Sequence, residues 1–546
     1  MKKLFPFSVL FFIVLFSCAL LAGDNPEVER GLENFNAFFR EVNDGYVDKP
    51  DAEVIMRASI DAALRAIDPY SYYISAKEQA DKQKAWKGIL YGGFGVNIVQ
   101  RDSEITVTDV SAGYPAALSD IRHGDKILAI NNFQLRGLPF DSALKKLRGE
   151  PGSAVTLTIK RQNRILEKTV TRAEIRNKAV QCTSVLDNKT GYICFTHFLD
   201  GSADELRKSV YQLKEKEGIT SLVIDLRGNS GGLVVEAVKA ANIFLPKNVN
   251  IVTFQGRQAV WNYDNLTFNE ALDTILPLVL LTDNNSISAA ELFAGAIQDY
   301  DRGLIVGRKT FGKGLVQGTH NLPYGNSVYI TSARYYTPSG RCIQELDYIH
   351  KDATGKATKA PDSLRQMFHT AAGRIVYNIG GIAPDIQVEL DKPNTAFVDK
   401  LRKADVLGDF ANTYRNEHES ISGATHFQLT SEDFADFKLA LKKSCYPFKT
   451  ETEDALDALI TQATKAQLGS LINAEQKKLK RKLLKDRIAE IDVHRAMICS
   501  ELAKEICARY YFNEGRIENT LYADADMKAA LELLKNPAEY SRHLRP

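Results

Sequence analysis

Pro277-Leu278-Val279-Leu280-Leu281-Thr282-Asp283-Asn284-Asn285-Ser286-Ile287-Ser288-Ala289-Ala290-Glu291 changes character twice. Leu278–Leu281, entered through a proline, is a short apolar run that reads as a buried strand; Thr282–Ile287 is a largely polar turn; Ser288 opens a helical pattern that runs to Tyr300. Upstream, Ser221-Leu222-Val223-Ile224-Asp225-Leu226 is a second buried strand, followed by a helical pattern from Leu233 to Phe244. Strand, helix, strand, helix predicts an α/β core with parallel strands, which we place at residues 173–390.

The flanks read differently. From 24 to 88 the apolar positions Phe35, Phe38, Phe39, Val42, Ile55, Ile60, Leu64 and Ile67 recur mostly at three and four, a small helical region broken by the turn Asp68-Pro69-Tyr70-Ser71. From 89 to 172, β-rich runs (Ile105–Val110, Lys126–Ile130, Val155–Ile159) alternate with glycine turns and one short amphipathic helix, Asp141–Leu147. With Tyr91-Gly92-Gly93-Phe94-Gly95-Val96 leading in, this order resembles a PDZ domain. The glycine loop at Gly93, Phe94 and Gly95 leaves N–H groups free for a terminal carboxylate, and the strand from Val96 offers an edge to an extended peptide. From 391 to 546 helical periodicity dominates. The run Lys477–Arg487 carries seven basic residues and reads as the solvated face of an amphipathic helix, because its leucines keep near-helical spacing.

A chain of 546 residues exceeds one hydrophobic core, so several packed units are expected. Its 44% hydrophobic and 25% charged composition is that of a globular protein, and 70 basic against 68 acidic side chains leave no global pull toward nucleic acid. Lys2-Lys3 followed by the apolar run Leu4–Ala22 predicts an export signal over residues 1–23 and a periplasmic or cell-envelope location. Signal cleavage, a lipid on Cys18, a retained membrane anchor and self-association all stay open. Cys182 and Cys194 flank a turn and are placed to face one another across a hairpin; Cys499 and Cys507, about 12 Å apart along one helix, do not pair with each other. No Cys-x-x-Cys spacing points to zinc, and neither a metal nor an organic cofactor is expected.

Three segments carry chemistry. Ser288 projects from a strand-to-helix turn, where the Ala289 N–H is open to an oxyanion, although Ser288-x-x-Glu291 taken alone is an ordinary capping box. In Gly312-Lys313-Gly314-Leu315-Val316-Gln317, a lysine between glycines is able to act as a base if desolvated, and in a strand Lys313 and Gln317 would share a face. In Asp225-Leu226-Arg227-Gly228-Asn229-Ser230-Gly231-Gly232, a glycine turn after a strand is suited to complete an oxyanion hole, but Gly228–Gly232 also satisfies the Gly-x-Ser-x-Gly elbow of a Ser-His-Asp hydrolase, with His320, His350 or His369 as candidate partners of Ser230.

Asn285–Glu291, Thr310–Gly314 and Gln317 together are similar to the signature of the C-terminal processing (tail-specific) serine peptidases. Tyr46-Val47-Asp48, Asp225–Gly232, Ala333–Gly340 and Gly381–Asp385 look like further landmarks of that family, so the resemblance spans roughly residues 30 to 390. It implies a multidomain α/β protein: a crotonase-like core of stacked β/α units, an inserted PDZ domain and helical terminal regions. It implies Ser288 as nucleophile, Lys313 as general base, Gln317 orienting the lysine, and Ala289 with Gly231 or Gly232 as oxyanion hole. Its implied partners are protein substrates with accessible C-termini, held at Gly93, Phe94, Gly95 and Val96. A catalytically silent PDZ scaffold is the alternative from another class. Ser230 stands where many relatives have proline, which lowers the elbow reading. The region beyond 391 lies outside the matched motifs.

Overall fold

The structure, a computed structural model, describes residues 25–389, 395–444 and 446–545. The expected export signal, Cys18 within it, and Cys445 lie outside the described residues. The chain divides into two compact units, Met1–Ser75 with Thr319–Ile330, and Ala76–Gly318 with Thr331–Pro546.

In the smaller unit, helices Pro26–Gly45 and Ala52–Ile67 precede the strand Tyr72–Ile74. The second helix stops ahead of Pro69, where the Asp68 carboxylate accepts the Tyr70 and Ser71 N–H groups at 2.7 Å each. Tyr72–Ile74 then pairs antiparallel with residues 327–329, and Leu64, Tyr73 and Val328 form a small core. The helical region expected over 24–88 is thus split: the helix Ala76–Trp86 belongs to the larger unit.

The larger unit holds two sheets that matter for function. One has the antiparallel order Val96–Arg101, Glu104–Val110, Lys126–Ile130, Ala154–Arg161, Arg164–Thr171. Alternate residues such as Ile105, Val107, Ile127, Leu157 and Ile159 point to one core, shared with Ala143 and Leu147 of helix Phe140–Leu147. Val96–Arg101 lies at the sheet edge, where main-chain groups are open to another strand.

The second sheet runs Val180–Leu186, Thr190–Phe195, Ser221–Asp225, Leu278–Thr282, Leu304–Gly307, Ile386–Gln387; the first pair is antiparallel and the rest parallel. Its strands read as unbroken apolar runs because both faces are covered. Leu222, Ile224, Leu278 and Leu280 pack against helices Ser202–Glu215, Val234–Ala241 and Ala289–Asp299. Val223, Val279, Leu281 and Val306 face the opposite way, onto Met527, Ala530 and Leu531 of helix Ala525–Lys535 and Tyr540 of helix Pro537–Leu544. The C-terminal region therefore supplies half the core of this sheet. At about 1.5–3 kcal/mol for each buried aliphatic side chain, its removal would leave the sheet without one of its two layers. Cys182 and Cys194 stand directly opposite each other in register, both as free thiols.

Candidate active site

Strand Leu278–Thr282 ends, the chain turns through Asp283–Ile287, and Ser288 forms the N-cap of helix Ala289–Asp299. Ser288 has φ 59° and ψ −114°, a conformation that L-residues adopt only where surrounding structure enforces it. The Asp283 side chain accepts the Asn285 N–H at 3.0 Å and the Gly228 N–H at 3.0 Å, and Ser286 donates to the Leu226 carbonyl at 2.8 Å. These bonds tie the serine turn to the glycine turn beside it. The Ser288 hydroxyl makes no capping bond, so the capping box is only half built and the hydroxyl is left for other work.

Glu291 supplies the other half. It is fully buried, and it accepts the Ser288 N–H at 2.8 Å and the Lys313 N–H at 2.9 Å on one carboxylate oxygen. The other oxygen accepts the Gly312 N–H and the Thr310 hydroxyl, each at 2.6 Å. One side chain thus holds the main chains of Ser288 and Lys313 together. The Tyr335 hydroxyl adds a second tie, donating to the Lys313 carbonyl and standing 3.5 Å from that of Ser288. Lys313 lies just ahead of strand Leu315–Asn321 rather than in it, because Gly312, at φ 88°, and Gly314 pack too tightly for a regular strand start. Its ammonium nitrogen still donates to Gln317 Oε1 at 3.0 Å, and Gln317 Nε2 donates to Thr331 Oγ1 at 3.0 Å. The amide is held with its oxygen toward the lysine.

The glycine turn closes the site from the other side. Asn229 donates to the Phe195 carbonyl at 2.9 Å, and its own carbonyl accepts the Ile287 N–H at 2.9 Å. Gly231 sits so close that a Cβ there would lie 2.9 Å from Ser288 Cβ and 2.9 Å from the Ala289 nitrogen. Its N–H donates to Asn229 Oδ1 at 2.9 Å, which removes it as an oxyanion donor. The N–H groups of Gly232 and Ala289 donate to no group in the described residues and are the pair available to a developing oxyanion. Ser230 is exposed, lacks a positive φ and has no hydrogen bond to a histidine among the described residues; His350 instead pairs with Asp347. The elbow geometry is at Ser288, not at Ser230. Among the described residues, no group of three His, Cys, Asp or Glu is arranged to hold a metal.

In the other sheet, Phe94 is buried in the core, and the Gly92, Phe94 and Gly95 carbonyls accept from Gly149, Ala116 and Ser111. The N–H groups of Phe94 and Gly95 donate to nothing in the described residues, at the start of the edge strand from Val96. Glu291, Tyr335, Thr331 and Asn229 were not singled out from sequence as working parts of the site. Glu291 gave the one usable signal, an acid in a helix that is otherwise almost wholly apolar.

Burial pushes the Glu291 carboxyl up to about 7, against the hydrogen bonds from Thr310, Gly312, Lys313 and Ser288 that pull it down. A carboxyl raised in the folded state stabilises fully below its ordinary value of 4.5, and that contribution is lost as pH rises to about 7. Relative to a Glu291→Gln protein, the wild type should therefore lose roughly 3 kcal/mol of unfolding free energy across this window. Urea melts of both proteins between pH 4.5 and pH 8 check this; parallel stability curves would contradict it.

Residues 189–354 match peptidase family S41, residues 87–160 match a PDZ domain, and residues 397–534 match the family described as "Probable PDZ-protease, C-terminal helical domain". A "Probable CtpA-like serine protease" of Staphylococcus aureus strain COL is 31% identical over 346 residues, 63% of this chain and 66% of the relative. The relative of the same description from Staphylococcus epidermidis is 30% identical, over 59% of this chain and 65% of its own. The chain thus spans slightly less than two thirds of these relatives' length. Among solved structures, a photosystem II D1 C-terminal processing protease aligns at 23% identity and TM-score 0.34, over 65% of this chain and 92% of that one. A putative S41 protease from Bacteroides fragilis aligns at 18% identity and TM-score 0.37, over 64% and 87%.

Proposed function

Because this chain belongs to peptidase family S41, with a PDZ domain and a PDZ-protease C-terminal helical domain, we propose that it is an exported serine endopeptidase with a Ser288–Lys313 dyad that cleaves proteins near their C-termini. The observation that carries this reading is the single Glu291 oxygen that accepts both the Ser288 and the Lys313 N–H, beside a lysine amine bonded to Gln317. Neutral Lys313 takes the Ser288 hydroxyl proton as Oγ attacks the scissile carbonyl. The tetrahedral oxyanion faces the Ala289 and Gly232 N–H groups. Lys313 then returns the proton to the leaving amine, an ester forms on Ser288, and water activated by the same amine hydrolyses it. Gln317 Oε1 accepts from the amine in both protonation states, so it fixes where the nitrogen points. The reaction needs neither ATP nor a metal.

Substrate capture is assigned to the edge strand Val96–Arg101 and the loop Gly93–Gly95. An extended C-terminal tail adds to the strand, and its carboxylate meets the Phe94 and Gly95 N–H groups. Cleavage of an unfolded polypeptide with a free C-terminus should exceed that of the same polypeptide ending in an amide by about tenfold in kcat/KM. Equal rates for the two would remove the tail-capture part of the proposal.

A further inference from the structure

The two catalytic loops are joined a second time, from a part of the chain that contributes nothing to the dyad. Helix Ala525–Lys535 begins with Asp524 as its N-cap, accepting the Met527 N–H at 2.9 Å. Asp526, two residues on, is completely buried. Its carboxylate accepts from Arg227 Nη1 at 2.8 Å and from Arg308 Nη1 at 2.8 and 2.9 Å. Arg227 Nη1 also reaches both Asp524 oxygens, at 2.9 and 2.8 Å, while its Nε and Nη2 grip Asp225 at 2.9 and 2.6 Å.

The placement of these arginines is what matters. Arg227 immediately precedes the glycine turn that holds Gly231 against Ser288 and presents Gly232. Arg308 opens the loop that ends at Lys313, and its main chain is pinned to Thr282 through its N–H at 2.9 Å and its carbonyl at 2.8 Å. A buried carboxylate is tolerated only when paired and hydrogen-bonded, so Asp526 holds both guanidinium groups or suffers a large desolvation cost. We infer that Asp526, supported by Asp524, is a positioning residue for catalysis. It clamps the oxyanion turn and the lysine loop to one point on the C-terminal helical domain. This rests on the Ser288–Lys313 reading above and extends it: the domain matched over residues 397–534 sets active-site geometry besides covering the sheet.

The test uses the full chain at 20 °C and compares Asp526→Asn with Met527→Ala, which loosens the same helix without touching the charge network. Displacing a catalytic loop by about 1 Å costs on the order of 100-fold. Asp526→Asn is therefore expected to lose about 10- to 100-fold in kcat with KM little changed, whereas Met527→Ala lowers the melting temperature and leaves kcat alone. If Asp526→Asn does not fold, Arg308→Gln carries the test, with the same loss in kcat expected. Combining both substitutions should cost no more than the larger single effect, because they break one contact. A wild-type kcat in a folded Asp526→Asn or Arg308→Gln protein, with only the melting temperature lowered, overturns the inference. Ser288→Ala run alongside separates the two levels. An inactive Ser288→Ala with a normal Asp526→Asn sinks the clamp alone; an active Ser288→Ala sinks the dyad and the clamp with it.

Discussion

Replacing Ser288 by alanine is expected to lower cleavage of an unfolded polypeptide by about 10⁴-fold or more while leaving the melting temperature unchanged. The loss follows from chemistry: alanine offers no oxygen to form the ester, and a water-only pathway keeps just the contribution of the oxyanion N–H groups. The unchanged stability follows from geometry. The Ser288 hydroxyl makes no capping bond, and the contact that orders the turn is the Ser288 N–H donating to Glu291, which alanine retains. The backbone strain at φ 59° is the same for either side chain. Ser230→Ala should keep near-wild-type activity, since that side chain is exposed and has no histidine beside it. Initial rates and thermal melts on the three proteins check both halves of the expectation.

The second large effect is at Lys313. Lys313→Ala should cost about 10²–10⁴-fold in kcat, the range for loss of a positioned general base. The loop should persist, because Glu291 and Tyr335 bond the main chain of residue 313 and not its side chain. Lys313→Arg is the sharper variant. Arginine has the reach to contact Gln317 and carries the same charge, but a guanidinium stays protonated in proteins and cannot accept the serine proton. Both substitutions should therefore be about equally inactive from pH 6 to pH 10. Recovery of activity in the arginine protein would assign Lys313 an electrostatic role instead.

Much of the site was legible because its parts are local. A strand, a polar turn and a helix start are readable from apolar spacing, and the turn carries Ser288; Lys313 and Gln317 are close in sequence, so their pairing survives even though the lysine sits ahead of the strand. What local pattern cannot carry is a contact made by folding. Glu291 reads as the partner of a capping box because that motif and the observed hub use the same residue at the same spacing. Only the fold brings positions 310, 312 and 313 to its carboxylate. Gly231 and Gly232 are alike in sequence, and the Asn229 side chain is what spends one N–H and leaves the other. Acids at a helix start are ordinary dipole complements, so Asp524 and Asp526 gave no sign that they face arginines from two distant loops. The C-terminal helices were readable as helices, but that their apolar faces complete the peptidase sheet is a property of packing. The split of the N-terminal region arises likewise, from a strand pairing with residues far along the chain.

The central claim is that Ser288 becomes covalently acylated with Lys313 as its base. The most direct measurement is to quench a reaction with an activated ester substrate at acid pH, digest the protein and locate the acyl group by mass spectrometry. The account predicts one acyl group on the peptide containing Ser288, formed in the first turnover and strongly diminished in Lys313→Ala. Acylation at Ser230, or turnover with no covalent intermediate on Ser288, would contradict it.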